Sequence, residues 1–199
     1  DGAPKAVKSV VISTQHSKDV NLAKVKELCM PYIERSIPKN LLGSLDENEI
    51  YINPTGNFVI GGPDGDTGLT GRKIIVDTYG GYSPHGGGAF SGKDCTKVDR
   101  SAAYMARYIA KNIVANGKAN NCTVQLSYAI GIVEPTSVYI YADGKVRTDL
   151  SDWVQQNIDL TPKGIIDKFN LFSLDLTQTT NYGHFGKSEM PWERIDTWN

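Results

Sequence analysis

The chain has 199 residues, 40% of them apolar and 22% charged, and its 21 Lys and Arg against 22 Asp and Glu give a formal net charge of −1. This composition is typical of a globular protein of one or two domains, and the near-zero charge argues against nucleic acid as a partner. No apolar run approaches the ~20 residues that cross a bilayer, and residues 1–5 lack the apolar stretch of a signal peptide, so we expect no membrane association or secretion.

The first predicted unit is a strand followed by a helix. Residues 7–14 are rich in valine and predict the strand, and a helix is expected after residues 17–19. Apolar residues recur in that helix at three- and four-residue spacing, which predicts one buried face made of Leu22, Val25, Leu28, Cys29 and Ile33.

A second unit of strands and a helix follows later in the chain. Residues 122–130 and 137–142 predict two strands, and residues 149–158 predict a helix closed by a turn at 162–164. Two such units favour an α+β fold in which antiparallel sheets carry helices on one face.

Between these units lies a glycine-rich stretch. Of the 20 glycines, 12 fall between Gly56 and Gly92. Turns between short strands would explain one or two of them. Residues 86–92 favour a second explanation, because a loop stripped of side chains lets backbone N–H groups approach an anion closely.

The strongest helical pattern follows that loop. Its expected N-cap is Thr96, and it is expected to end at Asn116 and Gly117. One face carries the apolar residues Val98, Ala102, Met105, Ile109 and Ile113. The loop therefore precedes a helix N-terminus, where the helix dipole would add to its amides at a phosphate-binding locus.

The spacing from Gly87 to Gly92 and Lys93 matches the Walker A motif, but Asp94 stands where that motif needs Ser or Thr for magnesium. No strand is expected immediately before Gly87 either. A true P-loop is therefore disfavoured, and what remains is flexible amides, a lysine and a helix start.

Four cations surround this loop, namely Arg72, Lys73, Lys93 and Lys97. If turns bring them to one pocket, they suit a triphosphate, because lysine acts as a point charge and arginine can grip phosphate oxygens bidentately. The alternative is that Arg72, Lys73 and Lys97 are solvated surface charges.

Two aspartates also have two explanations each. Asp99 lies three residues after Thr96, the spacing of a capping box, but its carboxylate is equally suited to a magnesium ion facing bound phosphates. Asp66 is either a turn residue or a polar anchor for a substrate.

Other side chains have simpler explanations. Phe58 lies in a strand-like context, which favours core packing over adenine stacking. The histidines lack ligand spacing and are expected to be packed or hydrogen-bonded; they are His16, His85 and His184. An odd number of cysteines without CxxC spacing argues against a disulfide framework or zinc site and favours a reducing cytoplasm; they are Cys29, Cys95 and Cys122.

Several long motifs occur together in this chain. Residues 53–81 contain NPTG, FVIGGP, GD and GLTGRKIIVDTYGG, residues 85–94 are HGGGAFSGKD, and residues 97–104 are KVDRSAAY. The sequence further contains YGHFG at 182–186 and PWE at 191–193. This set resembles the S-adenosylmethionine synthetase (methionine adenosyltransferase) family over essentially the whole chain, but over only the later half of the family's usual length.

The resemblance implies the family's fold of similar α+β domains, each a mixed or antiparallel sheet with helices on one face. Residues 1–60 would be the later part of the central domain, and residues 61–199 the C-terminal domain with its glycine-rich nucleotide loop. It also implies self-association into a dimer or tetramer, with active sites between subunits.

The activity implied is a transferase reaction of one-carbon metabolism. ATP and L-methionine form S-adenosylmethionine, and the triphosphate is cleaved to pyrophosphate and phosphate. The resemblance assigns Arg72, Lys73 and Lys93 to the triphosphate as catalytic groups.

The remaining substrate contacts are implied in the same way. Lys97 and Asp66 would meet the methionine side or the ribose, Asn57 and Phe58 the adenosine, and Ala89 the nucleotide.

The implied cofactors are Mg²⁺, held by Asp99, and K⁺, near Thr67. The family's His-Pro-Asp-Lys segment and its Gly-Ala-Gly-Asp-Gln-Gly loop do not occur in this sequence. An N-terminal portion is therefore expected to be missing, and this chain alone to be incomplete and inactive. The alternative is a noncatalytic nucleotide-binding or subunit-interaction fragment.

Overall fold

The computed structural model describes residues 3–198, which form two compact units divided between Gly68 and Leu69. One unit contains a parallel strand pair and the other an antiparallel sheet, each with helices, and this mixture confirms the α+β class. No helix among residues 3–198 has both the length and the apolar character needed to cross a bilayer. The domain boundary expected after residue 60 stays a prediction.

The first unit is built on two short strands. Strand β1 (Val10–Ile12) pairs in parallel with β2 (Ile50–Ile52), and helices α1 (Leu22–Ser36) and α2 (Lys39–Leu42) lie between them in the chain. The strand predicted over residues 7–14 is thus confirmed in place but is only three residues long, because its partner offers no more pairing positions.

Helix α1 buries only part of its predicted face. Val25 and Ile33 are buried, at 3% and 4% exposure, whereas Leu22 and Leu28 are 38% and 53% exposed. Two strands make a sheet too narrow to cover a whole helix face, so the unit leaves this apolar surface open.

The second unit contains a three-stranded antiparallel sheet of order β3-β4-β5. Helix α3 packs against β3, and α4 packs against β4. The four long elements predicted here are confirmed, with small shifts of their ends. The elements are α3 (Val98–Ala115), β3 (Cys122–Ser127), β4 (Ser137–Ala142), β5 (Lys145–Val146), α4 (Thr148–Asn157) and α5 (Pro162–Phe169).

Helix α5 replaces the turn predicted at residues 162–164, and that prediction was wrong. Thr161 is the N-cap, and its hydroxyl accepts a hydrogen bond from the Gly164 N–H at 3.0 Å. Pro162 then occupies the first helical turn, where the missing N–H costs nothing. Burial of Ile165 and Phe169 stabilises the helix until Asn170 ends it with φ of 50°.

The core of the second unit forms around one face of α3. The face predicted from periodicity is confirmed, since Ala102 is buried and Met105, Ile109 and Ile113 are fully so. The other elements contribute Ile140, Val154, Ile165, Phe169 and Trp192 to the same cluster. This packing fixes the start of α3 against the loop segments that precede it.

Candidate functional site

In the second unit, the segment that carries Arg72 and Lys73 lies against the glycine-rich loop. A Cβ added at Gly71 would stand 2.7 Å from the Cβ of Ala89, and one added at Gly92 would stand 3.8 Å from a methyl of Thr70. Gly71 also has φ of 84°, which side-chain-bearing residues rarely adopt. Glycine at position 71 therefore permits the two segments to touch.

The same loop also touches the start of α3. A Cβ at Gly88 would stand 2.6 Å from the Asp99 carboxyl carbon and 2.8 Å from its Cβ. The structure therefore brings three pieces together: the segment that carries Arg72 and Lys73 (the basic segment), the glycine-rich loop and the N-terminus of α3.

Lys93 and Asp99 form an ion pair across this junction, with 2.5 Å between the Lys93 Nζ and a carboxylate oxygen. The side chains are 30% and 56% exposed, so both groups remain accessible to a ligand. A polyanion would attract the ammonium group away from this pair and leave the carboxylate open to a cation.

The capping box predicted from Thr96 and Asp99 is absent from the helix start. Lys97 is the N-cap, without a side-chain hydrogen bond, and the Thr96 N–H donates instead to Asp94 at 2.8 Å. The same carboxylate accepts from the Thr96 hydroxyl, and these bonds lower the pKa of Asp94 to about 2. Because Asp94 accepts hydrogen bonds from both the N–H and the hydroxyl of Thr96, the Asp99 carboxylate pairs with Lys93 instead.

The remaining cations lie at the surface. Lys97 forms an exposed ion pair with Asp94 at 3.1 Å, and Lys73 donates to the carbonyl of Arg72 at 3.1 Å. Arg72 and Lys73 are both exposed, on a segment that touches the loop. The cations thus surround the loop as solvated charges, and their role as ligands stays a prediction.

A buried group behind the loop was missed by the sequence analysis. Arg100, at 6% exposure, donates to the Lys93 carbonyl at 2.8 Å and to the Tyr104 hydroxyl at 2.9 Å. The Tyr104 hydroxyl lies 2.7 Å from His184 Nδ1, and Ser91 Oγ lies 3.3 Å from His184 Nε2. No local pattern indicates these partners, because they are up to 93 residues apart.

His184 confirms the expectation of a hydrogen-bonded histidine. Burial, assisted by the nearby charge of Arg100, lowers the pKa of His184 to about 4, so the ring is neutral at neutral pH. The backbone N–H of His184 donates to the Asp77 carbonyl at 2.9 Å, which connects His184 to the basic segment as well.

His85 begins the glycine-rich loop and stacks on Phe90, with 5.5 Å between the ring centroids. Its Nδ1 accepts the Gly87 N–H at 2.7 Å, which places its proton on Nε2. That nitrogen is buried and has no hydrogen-bond partner within residues 3–198.

The other candidate residues belong to the first unit. Asn57, Phe58 and Asp66 are all exposed, and no strand includes them. The strand-like context and core packing expected for Phe58 were therefore wrong: its N–H donates to His16 Nε2 at 3.1 Å, and its ring is 38% exposed. Thr67 follows the 3-10 turn at Gly62–Asp64 and donates to the Pro63 carbonyl at 3.1 Å.

The described side chains offer little for a metal ion. Within residues 3–198, no group of three His, Cys, Asp or Glu side chains could hold a metal ion. Asp99 is a single accessible carboxylate, which fits Mg²⁺ because this ion often takes one or two carboxylates and completes its shell with water and phosphate.

Comparisons with known proteins support one family. The sequence profile described as "S-adenosylmethionine synthetase, C-terminal domain" matches residues 60–194, and that described as "S-adenosylmethionine synthetase, central domain" matches residues 1–58. S-adenosylmethionine synthases of Pelagibacter ubique and Staphylococcus epidermidis are 57% and 55% identical over 98% and 100% of this chain.

The structural comparison agrees. A solved structure titled "Structure of an Unusual S-adenosylmethionine synthetase from Campylobacter jejuni" has a TM-score of 0.88 and 44% identity over 96% of this chain. The chain spans about half the length of these relatives: 52% and 51% of the two sequences, and 52% of the solved chain.

Proposed function

The chain belongs to the S-adenosylmethionine synthetase family, and we propose from this membership that it supplies the triphosphate-holding part of a methionine adenosyltransferase. The substrates would be ATP and L-methionine. The observation that carries the proposal is the contact of the glycine-rich loop with both the basic segment and the start of α3, through Gly71, Ala89, Gly88 and Asp99.

In the proposed reaction, the methionine sulfur attacks C5′ of ATP. The S–C5′ bond forms, the C5′–O bond breaks, and its electron pair leaves on the triphosphate, which water then cleaves to pyrophosphate and phosphate. Negative charge grows on the departing oxygen. Arg72, Lys73 and Lys93 would stabilise that charge, since fixed cations act most strongly where charge develops.

Family membership also assigns Asn57 and Phe58 to the adenosine, and Asp66 and Lys97 to the methionine side or the ribose. Ala89 would lie beside the nucleotide. The exposure of Phe58 supports this role, because its ring face is available for stacking.

Asp99 would hold Mg²⁺, which when bound neutralises charge on phosphate oxygens. The residue's own part is to supply one accessible carboxylate beside Lys93. K⁺ near Thr67 is proposed from family membership alone.

Because the chain spans about half the length of its relatives, we propose that the remaining length completes the site, and that two subunits share each active site in a dimer or tetramer. The three free cysteines support a cytoplasmic location.

The test compares three preparations: this chain alone, a full-length synthetase containing it, and that synthetase with Lys93→Ala. We expect no turnover by the chain alone and full turnover by the complete enzyme. Lys93→Ala should slow product formation on the order of a hundredfold, with a smaller effect on the methionine KM. Lys145→Ala, at an exposed lysine of β5, is the matched control.

Two outcomes would contradict the proposal. Turnover by the isolated chain would show that no further groups are needed. A complete enzyme without turnover that still binds tripolyphosphate would favour the noncatalytic binding fragment instead.

A further inference from the structure

Arg100 is a buried cation that has no acidic partner within residues 3–198. All its hydrogen-bond acceptors are neutral: the Lys93 carbonyl, the Tyr104 hydroxyl and the Thr179 hydroxyl, at 2.8, 2.9 and 3.2 Å. Within the described residues it forms no ion pair. Arg107 on the same helix, by contrast, reaches the Glu193 carboxylate at 2.8 Å. A buried charge is costly unless it is paired, so an unpaired one needs a reason.

The hydrogen bonds around Arg100 have one direction. Arginine can only donate, so the Tyr104 oxygen accepts from it and the Tyr104 proton goes to His184 Nδ1. A neutral imidazole that accepts at Nδ1 carries its proton on Nε2, which then donates to Ser91 Oγ. The relay therefore runs from Arg100 to the glycine-rich loop.

Both ends of this relay fix the same short segment. Ser91 receives the last bond of the relay, and the carbonyl of Lys93 receives a bond directly from Arg100. Between them, the Lys93 N–H donates to the Phe90 carbonyl at 3.1 Å, and the Phe90 ring is 5% exposed with its edge-to-face contact on His184. Three contacts from outside the segment and one hydrogen bond within it therefore hold residues 90–93.

We propose that Arg100 is a positioning residue that fixes the main chain of Lys93. Its positive charge, buried behind the loop, favours the binding of a polyphosphate anion. This inference rests on the proposed function of Lys93. The guanidinium is buried and does not touch the substrate. Its geometric effect acts through the Lys93 carbonyl, and its charge acts through space.

Geometry and charge are separated by two substitutions. Arg100→Lys keeps the charge but cannot reach three acceptors at once. Arg100→Gln ends near the position of the arginine Nε, so it is too short for the Lys93 carbonyl, which Nη1 reaches, and it also loses the charge. Both variants therefore lose the geometry, and the difference between them reports the charge. Ser91→Ala removes only the far end of the relay and is the variant least able to disturb folding. Arg194→Gln, at an exposed arginine paired with Asp196, is the control.

The first readout is amide hydrogen exchange of the chain, measured by mass spectrometry and needing no ligand. Arg100→Lys and Ser91→Ala should accelerate exchange at residues 86–94 while β3 and β4 stay protected. The second readout is calorimetry with inorganic tripolyphosphate, where Arg100→Gln should weaken binding on the order of tenfold and Arg100→Lys much less. In the full-length enzyme, Arg100→Lys should lower kcat on the order of a hundredfold with little change in KM.

The outcomes separate this inference from the proposed function. If wild-type chain binds tripolyphosphate and Lys93→Ala weakens it, but the Arg100 and Ser91 variants match Arg194→Gln in both readouts, the inference on Arg100 is wrong and the function stands. A uniform loss of protection over the whole unit in these variants would assign Arg100 a structural role only. A wild-type chain that binds no tripolyphosphate overturns both proposals.

Discussion

Adding one methyl group at Gly88 tests whether the glycine-rich loop must lie against the start of α3. The backbone of Gly88 has an ordinary φ, so alanine brings no conformational strain there. The new Cβ would stand 2.6 Å from the Asp99 carboxyl carbon and 2.8 Å from the Asp99 Cβ. Gly86→Ala is a matched control, since its φ is also ordinary and nothing lies within 4 Å of an added Cβ.

The size of the effect follows from which atoms can move. The carboxyl group can rotate away, but the Asp99 Cβ is fixed to the helix, so the loop itself must shift. Overpacking of this kind typically costs about 1–3 kcal/mol. At about 2–4 °C per kcal/mol, Gly88→Ala should lower Tm by about 2–12 °C, and Gly86→Ala should leave it nearly unchanged.

The shift should also reach Lys93, which pairs with Asp99 at 2.5 Å. We therefore expect Gly88→Ala to weaken calorimetric binding of tripolyphosphate and to depress turnover of the full-length enzyme, where a displacement of ~1 Å can cost on the order of a hundredfold. Replacing Asp99 by Gly as well should recover part of the lost Tm, because the Asp99 side-chain atoms in the clash are then gone. Equal Tm and equal binding for Gly88→Ala and Gly86→Ala would refute the close approach of loop and helix.

Three further predictions concern single side chains of the second unit. Asp99→Asn should change the free energy of unfolding by about 1 kcal/mol or less, because an exposed ion pair contributes little. The full-length enzyme with this substitution should need more Mg²⁺ and turn over more slowly. An unchanged Mg²⁺ titration would show that Asp99 does not bind the metal. Glu193→Gln should destabilise the chain at neutral pH by about 3–5 kcal/mol in urea unfolding, since Arg107 and Lys111 lose their buried partner. Burial raises the pKa of Glu193, but the hydrogen bonds from both cations outweigh it, and the pKa is lowered from 4.5. The difference in stability between wild type and Glu193→Gln should therefore be full above pH 4.5 and shrink as the pH falls below it. A difference that grows in acid would contradict this. Asn170→Gly should keep or slightly raise Tm and Asn170→Ala should lower it, because the residue ends α5 at φ of 50°; equal Tm values would argue against a left-handed helix end.

Local patterns were enough for the long elements. The apolar spacing of α3 and the alternation in β4 depend only on residues a few positions apart, and both elements occur where the sequence predicts them. The motifs from Asn53 to Tyr104 were likewise sufficient to indicate the family, because they are contiguous in the chain. The grouping of glycines with Arg72, Lys73 and Lys93 predicted the loop region, and the structure brings its segments into contact.

Competition between nearby groups could not be resolved from the sequence. The capping-box spacing predicted that Asp99 accepts the Thr96 N–H, and only the folded loop shows that Asp94 accepts it while Asp99 pairs with Lys93. Pro162 predicted a turn, but the Thr161 N-cap and burial of Ile165 make it the start of a helix.

Tertiary structure alone decided the support of the site. The partners of the Arg100 relay are local at one step, to Tyr104, but distant at the next, because His184 lies 80 residues beyond Tyr104 and 93 beyond Ser91. Periodicity and motif spacing report which residues are neighbours along the chain, whereas a hydrogen bond needs its two atoms within about 3 Å in space. Packing of the YGHFG segment against α3 is what brings His184 there, so the residues that hold Lys93 could be found only in the folded chain.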